Sequence, residues 1–227
     1  MSKTCCLDGP GLAERLIRLL YPEKCVFCGA LLNDAARIGA CEPCLAVLPR
    51  YGRGFEPMPR IPWIDGLFAS FAYGDAIERA IHAMKFFGRP RVAETLAFLL
   101  WEEMMKQPVI PDFDLIVPVP MHWRKRMSRG YNQSERIGNA LGGIMGVPVE
   151  RALVKTRHTK PQSLSSREER LVNLENSIDV RDPSAVSGLS VLLVDDVATT
   201  GATLGACARA LRGAGVSWVF AAVIAIA

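Results

Sequence analysis

The stretch Val191-Leu-Leu-Val-Asp-Asp-Val-Ala-Thr-Thr-Gly-Ala-Thr203 decides the fold. Val191 to Val194 is an unbroken apolar run, the pattern of a strand buried on both faces of a parallel sheet. Asp195 and Asp196 follow where that strand is expected to end, and strand C-termini in open parallel sheets are where ligands bind. Thr199 to Thr203 is a loop of small residues running into a helix. Leu204, Cys207, Ala208 and Leu211 repeat at helical spacing, and Gly213 and Gly215 close the pattern. A Thr- and Gly-rich turn at a helix start offers backbone N–H groups, hydroxyls and the positive end of the helix dipole, which together suit a phosphate. Two adjacent carboxylates cannot serve that phosphate, because like charges repel. They suit a polyol or a hydrated metal, so a sugar phosphate fits both halves of the stretch. No Gly-Lys-Ser/Thr follows, which excludes a Walker loop, and there is no G-x-G-x-x-G turn.

Working outward, Leu115-Ile-Val-Pro-Val-Pro120 reads as a second buried strand stopped by prolines. It leads into a basic loop, Met121 to Gly130, in which Arg124, Lys125, Arg126 and Arg129 lie within six residues. Ser134 to Met145 reads as a helix, and so do Asp75 to Phe87 and Val92 to Met105. Gly66 to Tyr73 and Ser217 to Ile226 read as further strands, and Leu171 to Val180 is strand-like. Lys85, just before Phe86-Phe87-Gly88, could lean over a neighbouring anionic site, but reads first as a plain cation at a helix C-terminus. Arg157 to Arg167 is polar and basic without apolar periodicity, and loops of that length are usually functional or disordered.

At the other end, Cys25-Val-Phe-Cys28 and Cys41-Glu-Pro-Cys44 are separated by twelve residues. Two C-x-x-C pairs at that spacing can set four thiolates tetrahedrally around one zinc, and a closed four-cysteine site is structural rather than catalytic. Before it, Leu12, Leu16, Leu19 and Leu20 form one face of a short helix that ends before Pro22. Pro49 to Pro62 is rich in Pro and Gly and reads as a linker. The expected division is therefore 1–50 for the N-terminal helix and zinc ribbon, 51–64 for the linker and 65–227 for an α/β domain.

The 227 residues include 50% hydrophobic and 22% charged side chains, which is globular composition. A net charge of +4 does not by itself argue for nucleic acid. No signal peptide or membrane-spanning run is visible, so the chain is expected in the cytoplasm without membrane insertion. Seven cysteines there argue for thiols rather than disulfides.

The stretch around Asp195 resembles the PRPP-binding signature of the type I phosphoribosyltransferases. That resemblance implies a twisted, mostly parallel sheet flanked by helices. It places Asp195 and Asp196 on the ribose hydroxyls and Thr199, Thr200, Gly201, Ala202 and Thr203 around the 5′-phosphate. It assigns Arg124, Arg126 and Arg129 to pyrophosphate, and Arg157, Thr159, Gln162 and Arg167 to a mobile loop that closes over PRPP and Mg²⁺. The order of four-cysteine segment, Lys-Phe-x-Gly, Val-Pro-Val-Pro, Arg-Gly-Tyr-Asn-Gln, Arg-x-Thr-x-x-Gln and PRPP loop is similar to that of the ComF family, some of whose members are tied to DNA uptake in natural transformation. Tyr131 stands where that family more often has Phe. The resemblance implies a structural zinc ribbon on a type I core and leaves the acceptor of the phosphoribosyl group unknown. It permits two functions: transfer from PRPP to that acceptor, or a PRPP-gated module for single-stranded DNA or DNA-uptake proteins. In the second, Trp123 and Tyr131 among the basic residues would stack on bases.

Overall fold

The computed structural model describes residues 23–32, 38–58, 61–87, 90–155 and 178–227. Its strands are β1 (Gly66–Ala72), β2 (Leu115–Pro118), β3 (Leu153–Lys155), β4 (Ile178–Val180), β5 (Ser190–Ala198) and β6 (Trp218–Ile226). Its helices are α1 (Glu42–Ala46), α2 (Asp75–Phe87), α3 (Pro90–Met105), α4 (Trp123–Arg129), α5 (Gln133–Met145) and α6 (Ala202–Gly213). The expected helix over Leu12 to Leu20 and the loop from Arg157 to Arg167 lie outside the described residues.

Four strands form one parallel sheet in the order β1-β6-β5-β2. Parallel strands need crossover connections, so both faces of the sheet are covered, and its strands are apolar throughout. Phe68, Ile116, Leu192, Val194, Ala222 and Ile224 point to one face, where α2, α3 and α5 pack through Ile81, Leu96 and Leu141. Leu67, Val117, Leu193 and Val223 point to the other, where α6 packs through Leu204, Cys207 and Leu211. β3 and β4 pair antiparallel as a separate ribbon on that second face.

The acids are not beyond the end of β5, as the apolar run suggests, but inside it. β5 continues to Ala198, because β6 is equally long and pairs with it as far as Ala198↔Ile226. β2 is shorter and its last pair is Pro118↔Val194. From Asp195 onward β5 therefore has a neighbour on one side, and the other side opens into a crevice. The chain leaving β2 passes through α4 into α5 on one face of the sheet, and the chain leaving β5 enters α6 on the other. That divergence of neighbouring strands is a topological switch point, where open α/β sheets bind ligands.

Two other expectations change. The basic segment after β2 is the helix α4 rather than a loop: Arg126 N–H bonds to His122 O at 3.0 Å, and Gly130, at φ 78°, closes the helix. The Pro- and Gly-rich segment read as a linker lies along β1. Ala72 N–H donates to Pro49 O at 2.7 Å, Tyr51 N–H to Ser70 O at 2.9 Å and Leu67 N–H to Glu56 O at 2.9 Å. Arg50 is ion-paired with the buried Glu103 of α3, which also holds Lys106 at 2.8 Å. These bonds cover an edge strand that would otherwise present unpaired backbone groups. The cysteine segment is not detached either: Cys25, Phe27, Ala40 and Leu48 are buried in the cluster that holds Phe68 and Phe71 of β1.

Asn132 caps α5, accepting from Ser134 N–H at 3.2 Å, and Gly146, at φ 71°, ends it. Within α5, a Cβ on Gly142 would meet Val149 Cγ2 at 2.3 Å and the Val147 carbonyl at 2.8 Å, whereas one on Gly143 would meet nothing within 4 Å. Gly142→Ala is expected to destabilise the chain by about 1–3 kcal/mol through overpacking. Gly143→Ala should stabilise it by roughly 0.5–1 kcal/mol through helix propensity. Urea unfolding of the two variants checks the opposite signs.

Candidate functional site

The crevice at the end of β2 is lined by Asp195 and Asp196 from β5, Thr203 from α6, Lys85 from α2, Ser134 from α5 and Arg129 from α4. Its floor is built by neighbouring residues with different jobs. Asn132 Nδ2 donates to Val119 O at 2.9 Å and so fixes the turn after β2 against the start of α5. Ser134 Oγ donates to Asp195 Oδ1 at 2.7 Å across the crevice. Asp196 N–H donates to the same oxygen at 2.9 Å, and Val197 N–H donates to Asp196 Oδ1 at 2.8 Å. Lys85 Nζ lies 2.7 Å from Asp196 Oδ2.

These contacts divide the two acids. Asp195 is pushed up from 3.8 to about 7, by burial first and then by the charge of Asp196, against the hydrogen bonds from Ser134 and the Asp196 backbone. Asp196 sits beside an ammonium. Such a pair can accept from neighbouring hydroxyls, and it lies next to the turn that starts α6. Gly201 adopts φ 75° at the start of α6, and a Cβ there would lie 2.3 Å from Ile61 Cδ1. Only glycine satisfies both the left-handed backbone and that contact. Thr200 Oγ1 accepts from Ala202 N–H at 3.3 Å, which orders the turn, while Thr199 and Thr200 remain exposed. Thr203, in the first turn of α6, faces the crevice.

The basic residues separate. Arg129 lines the crevice. Arg126 is exposed and lies 3.9 Å from Glu135, which also pairs with Arg151. The side chain of Arg124 and all of Arg157, Thr159, Gln162 and Arg167 lie outside the described residues. Tyr131 is not a free stacking face: its hydroxyl donates to Met84 O, and Arg136 covers its ring at 4.2 Å from the centroid. Lys85 does more than terminate its helix, since it reaches Asp196. Gln133, the last residue of the Arg-Gly-Tyr-Asn-Gln segment, also lines the crevice, as do Ser134, Lys155 and His122, which carry no such signal in sequence. Ser134 reads as an ordinary helix-start residue because its partner is 61 positions away.

The four sulfurs of Cys25, Cys28, Cys41 and Cys44 lie within 4.8 Å of one another, and Cys28 Sγ is 3.7 Å from Cys41 Sγ. A tetrahedron with metal–sulfur bonds of about 2.3 Å has edges of roughly 3.8 Å, so the set fits one ion. Burial works against ionisation of Cys25, but N–H groups of Cys28, Cys41 and Phe27 outweigh it and bring this thiol down to about 7. Cys44 is pushed up, by burial and by hydrogen bonds shared with the other three sulfurs.

The raised Asp195 sets a pH dependence. The folded chain keeps a proton that the unfolded chain releases at 3.8, so stability falls as pH rises from 3.8 and the fall is complete above about 7. Asp195→Asn keeps an oxygen for Ser134 and removes the titration. The variant is expected to be more stable than the natural chain at about pH 8, by up to about 4 kcal/mol, with the gap closing toward about pH 4. Chemical denaturation at both pH values tests this; a gap that does not change with pH would contradict it.

With this geometry in view, the comparisons with known proteins fall into place. Residues 132–226 match the phosphoribosyl transferase domain family, a span from the cap of α5 to the end of β6 that holds both acids and the α6 loop. The "DNA utilization protein YhgH" of Salmonella typhi is 32% identical over 172 residues, covering 74% of each chain. The "Competence protein F" of Haemophilus influenzae is 31% identical over 199 residues, covering 85% of this chain and 80% of that one. The "Competence protein ComFC" of Bacillus subtilis is 30% identical over 142 residues, covering 62% of this chain and 55% of that one. The shared crevice-bearing domain, the four-cysteine segment before it and these relatives establish that the chain belongs to the ComF family, with a phosphoribosyltransferase-like core.

Proposed function

We propose that the crevice binds PRPP and that the chain transfers its phosphoribosyl group to an acceptor nucleophile with loss of pyrophosphate. One observation carries this reading: an acid pair and Thr203, in the first turn of α6 just after the left-handed Gly201, open into one crevice at the sheet's switch point. Asp195 and Asp196 would accept from the ribose hydroxyls, and the turn from Thr199 to Thr203 would hold the 5′-phosphate. Arg129, at the other side of the crevice, would face the pyrophosphate. In transfer, the bond from C1 to the pyrophosphate oxygen breaks and its electron pair leaves on pyrophosphate. A lone pair of the acceptor forms the new bond at C1, and the acceptor gives up one proton. Mg²⁺ entering on the pyrophosphate oxygens would supply charge neutralisation for the leaving group. The carboxylates beside the ring would stabilise positive charge developing at C1.

A structural zinc in the four-cysteine cluster completes the proposal, and its thiolates suit the reducing cytoplasm. Among the described residues, no helix is long and apolar enough to cross a membrane.

A second reading rests on α4. Trp123 and Met127 are exposed on this helix, one turn apart, on the same short helix as the exposed Arg126 and the crevice-lining Arg129. An exposed indole among cations suits single-stranded DNA, with phosphate contacts and base stacking combined. The names of the relatives point the same way, toward DNA use and competence.

Three measurements test these proposals. Calorimetric titration with PRPP and Mg²⁺ is expected to show binding that falls at least about tenfold in Asp195→Asn/Asp196→Asn, the loss of two charge-assisted contacts. Unchanged affinity would remove the assignment. Metal analysis should find about one zinc per chain, lost in Cys28→Ser and Cys41→Ser; zinc-free protein from a chelator-free preparation would refute it. Filter binding of single-stranded DNA should weaken steeply with salt, and Trp123→Ala should weaken it further by about fivefold or more. Absence of salt-dependent binding, with and without PRPP, would remove the second reading.

A further inference from the structure

We propose that Lys85 is the resident counter-ion of the acid pair, standing where a protein-bound divalent cation would otherwise be needed, so that Asp195 and Asp196 form no metal site of their own. The inference takes its meaning from the PRPP reading above, but its test does not depend on that reading. Lys85 comes from α2, outside the span that matches the phosphoribosyl transferase family. Its ammonium lies 2.7 Å from Asp196 Oδ2, with the two side chains 26% and 14% exposed. Two of the other three oxygens are also committed. Asp195 Oδ1 accepts from Ser134 Oγ and Asp196 N–H, and Asp196 Oδ1 accepts from Val197 N–H.

A magnesium ion demands near-octahedral oxygen ligands at about 2.1 Å and gives up its water reluctantly. Here it would have to displace an ammonium and approach two further cations that line the crevice, Arg129 and Lys155. The residues present therefore do not fit a resident divalent ion, and the fixed charge of Lys85 does what such an ion would do. It lets two neighbouring carboxylates stay beside a strongly anionic donor. Any metal that takes part enters on the pyrophosphate and departs with it, while the acid pair keeps its partner through the cycle.

Manganese titration of the full zinc-loaded chain, followed by electron paramagnetic resonance of the free ion, tests this. In the natural chain, Asp196→Asn should leave manganese binding unchanged, because the acid pair holds none. Lys85→Met should gain about one bound manganese per chain. That site should vanish in Lys85→Met/Asp196→Asn and should be absent in Lys85→Arg. Lys85→Gln, which keeps the stem and a donor, gives the same gain if the Met variant fails to fold. Manganese bound by the natural chain and released by Asp196→Asn overturns the proposal, and so does a folded Lys85→Met or Lys85→Gln chain with no new site. Failure of the natural chain to bind PRPP would sink the donor reading and leave these outcomes untouched.

Discussion

Two carboxylates side by side in a partly buried strand repel each other, and the surrounding structure is arranged to keep them there. Burial and the neighbouring charge of Asp196 push Asp195 up. Ser134 and the local backbone hold Asp195 in place, and Lys85 pairs with Asp196 at 2.7 Å. The arrangement exists because β2 stops at Pro118 while β5 and β6 run on. Had β2 been four residues longer, its backbone and side chains would fill the space that the acids line. The short β2 and the carboxylates that use the gap are two sides of one constraint.

Much of this was legible before any coordinates. A run of Val and Leu between turn signals can only be a buried strand in so acidic and glycine-punctuated a context, and the small-residue loop after it marks a helix start. The fold class, the acid pair and the glycine turn rest on signals within Val191 to Thr203, and the cysteine cluster on those within Cys25 to Cys44. What failed was of another kind. The strand was read too short because Asp is a poor strand former, and its pairing with the long β6 overrides that preference. The segment from Trp123 to Arg129 was read as loop because charges dominate it, although none of its residues breaks a helix.

Lys85 and Ser134 show a different limit. Ser134 has an adequate local explanation as a helix-start hydroxyl, and Lys85 has one as a helix-end cation, while its place before Phe86-Phe87-Gly88 signals only that an anionic site could lie within its reach, not which one. Their roles arise from contacts across more than sixty residues, Ser134 to Asp195 and Lys85 to Asp196. Tyr131 fails in the opposite direction: an aromatic among cations reads as a stacking face, but its ring is already covered by Arg136 and its hydroxyl tied to Met84.

The buried side chains of the cysteine segment carry a consequence for how this architecture can be inherited. A self-sufficient metal knuckle can be moved from one protein to another like a cassette. This one cannot, since Phe27 and Leu48 complete a cluster begun by Phe68 and Phe71 of the first sheet strand, and Arg79 reaches back to the Phe27 carbonyl at 3.4 Å. Excision of the segment would leave an apolar wound on β1 and α3, and grafting it elsewhere would strand its own aromatic residue in water. The two parts are therefore bound to travel and to change together, each serving as the other's missing wall.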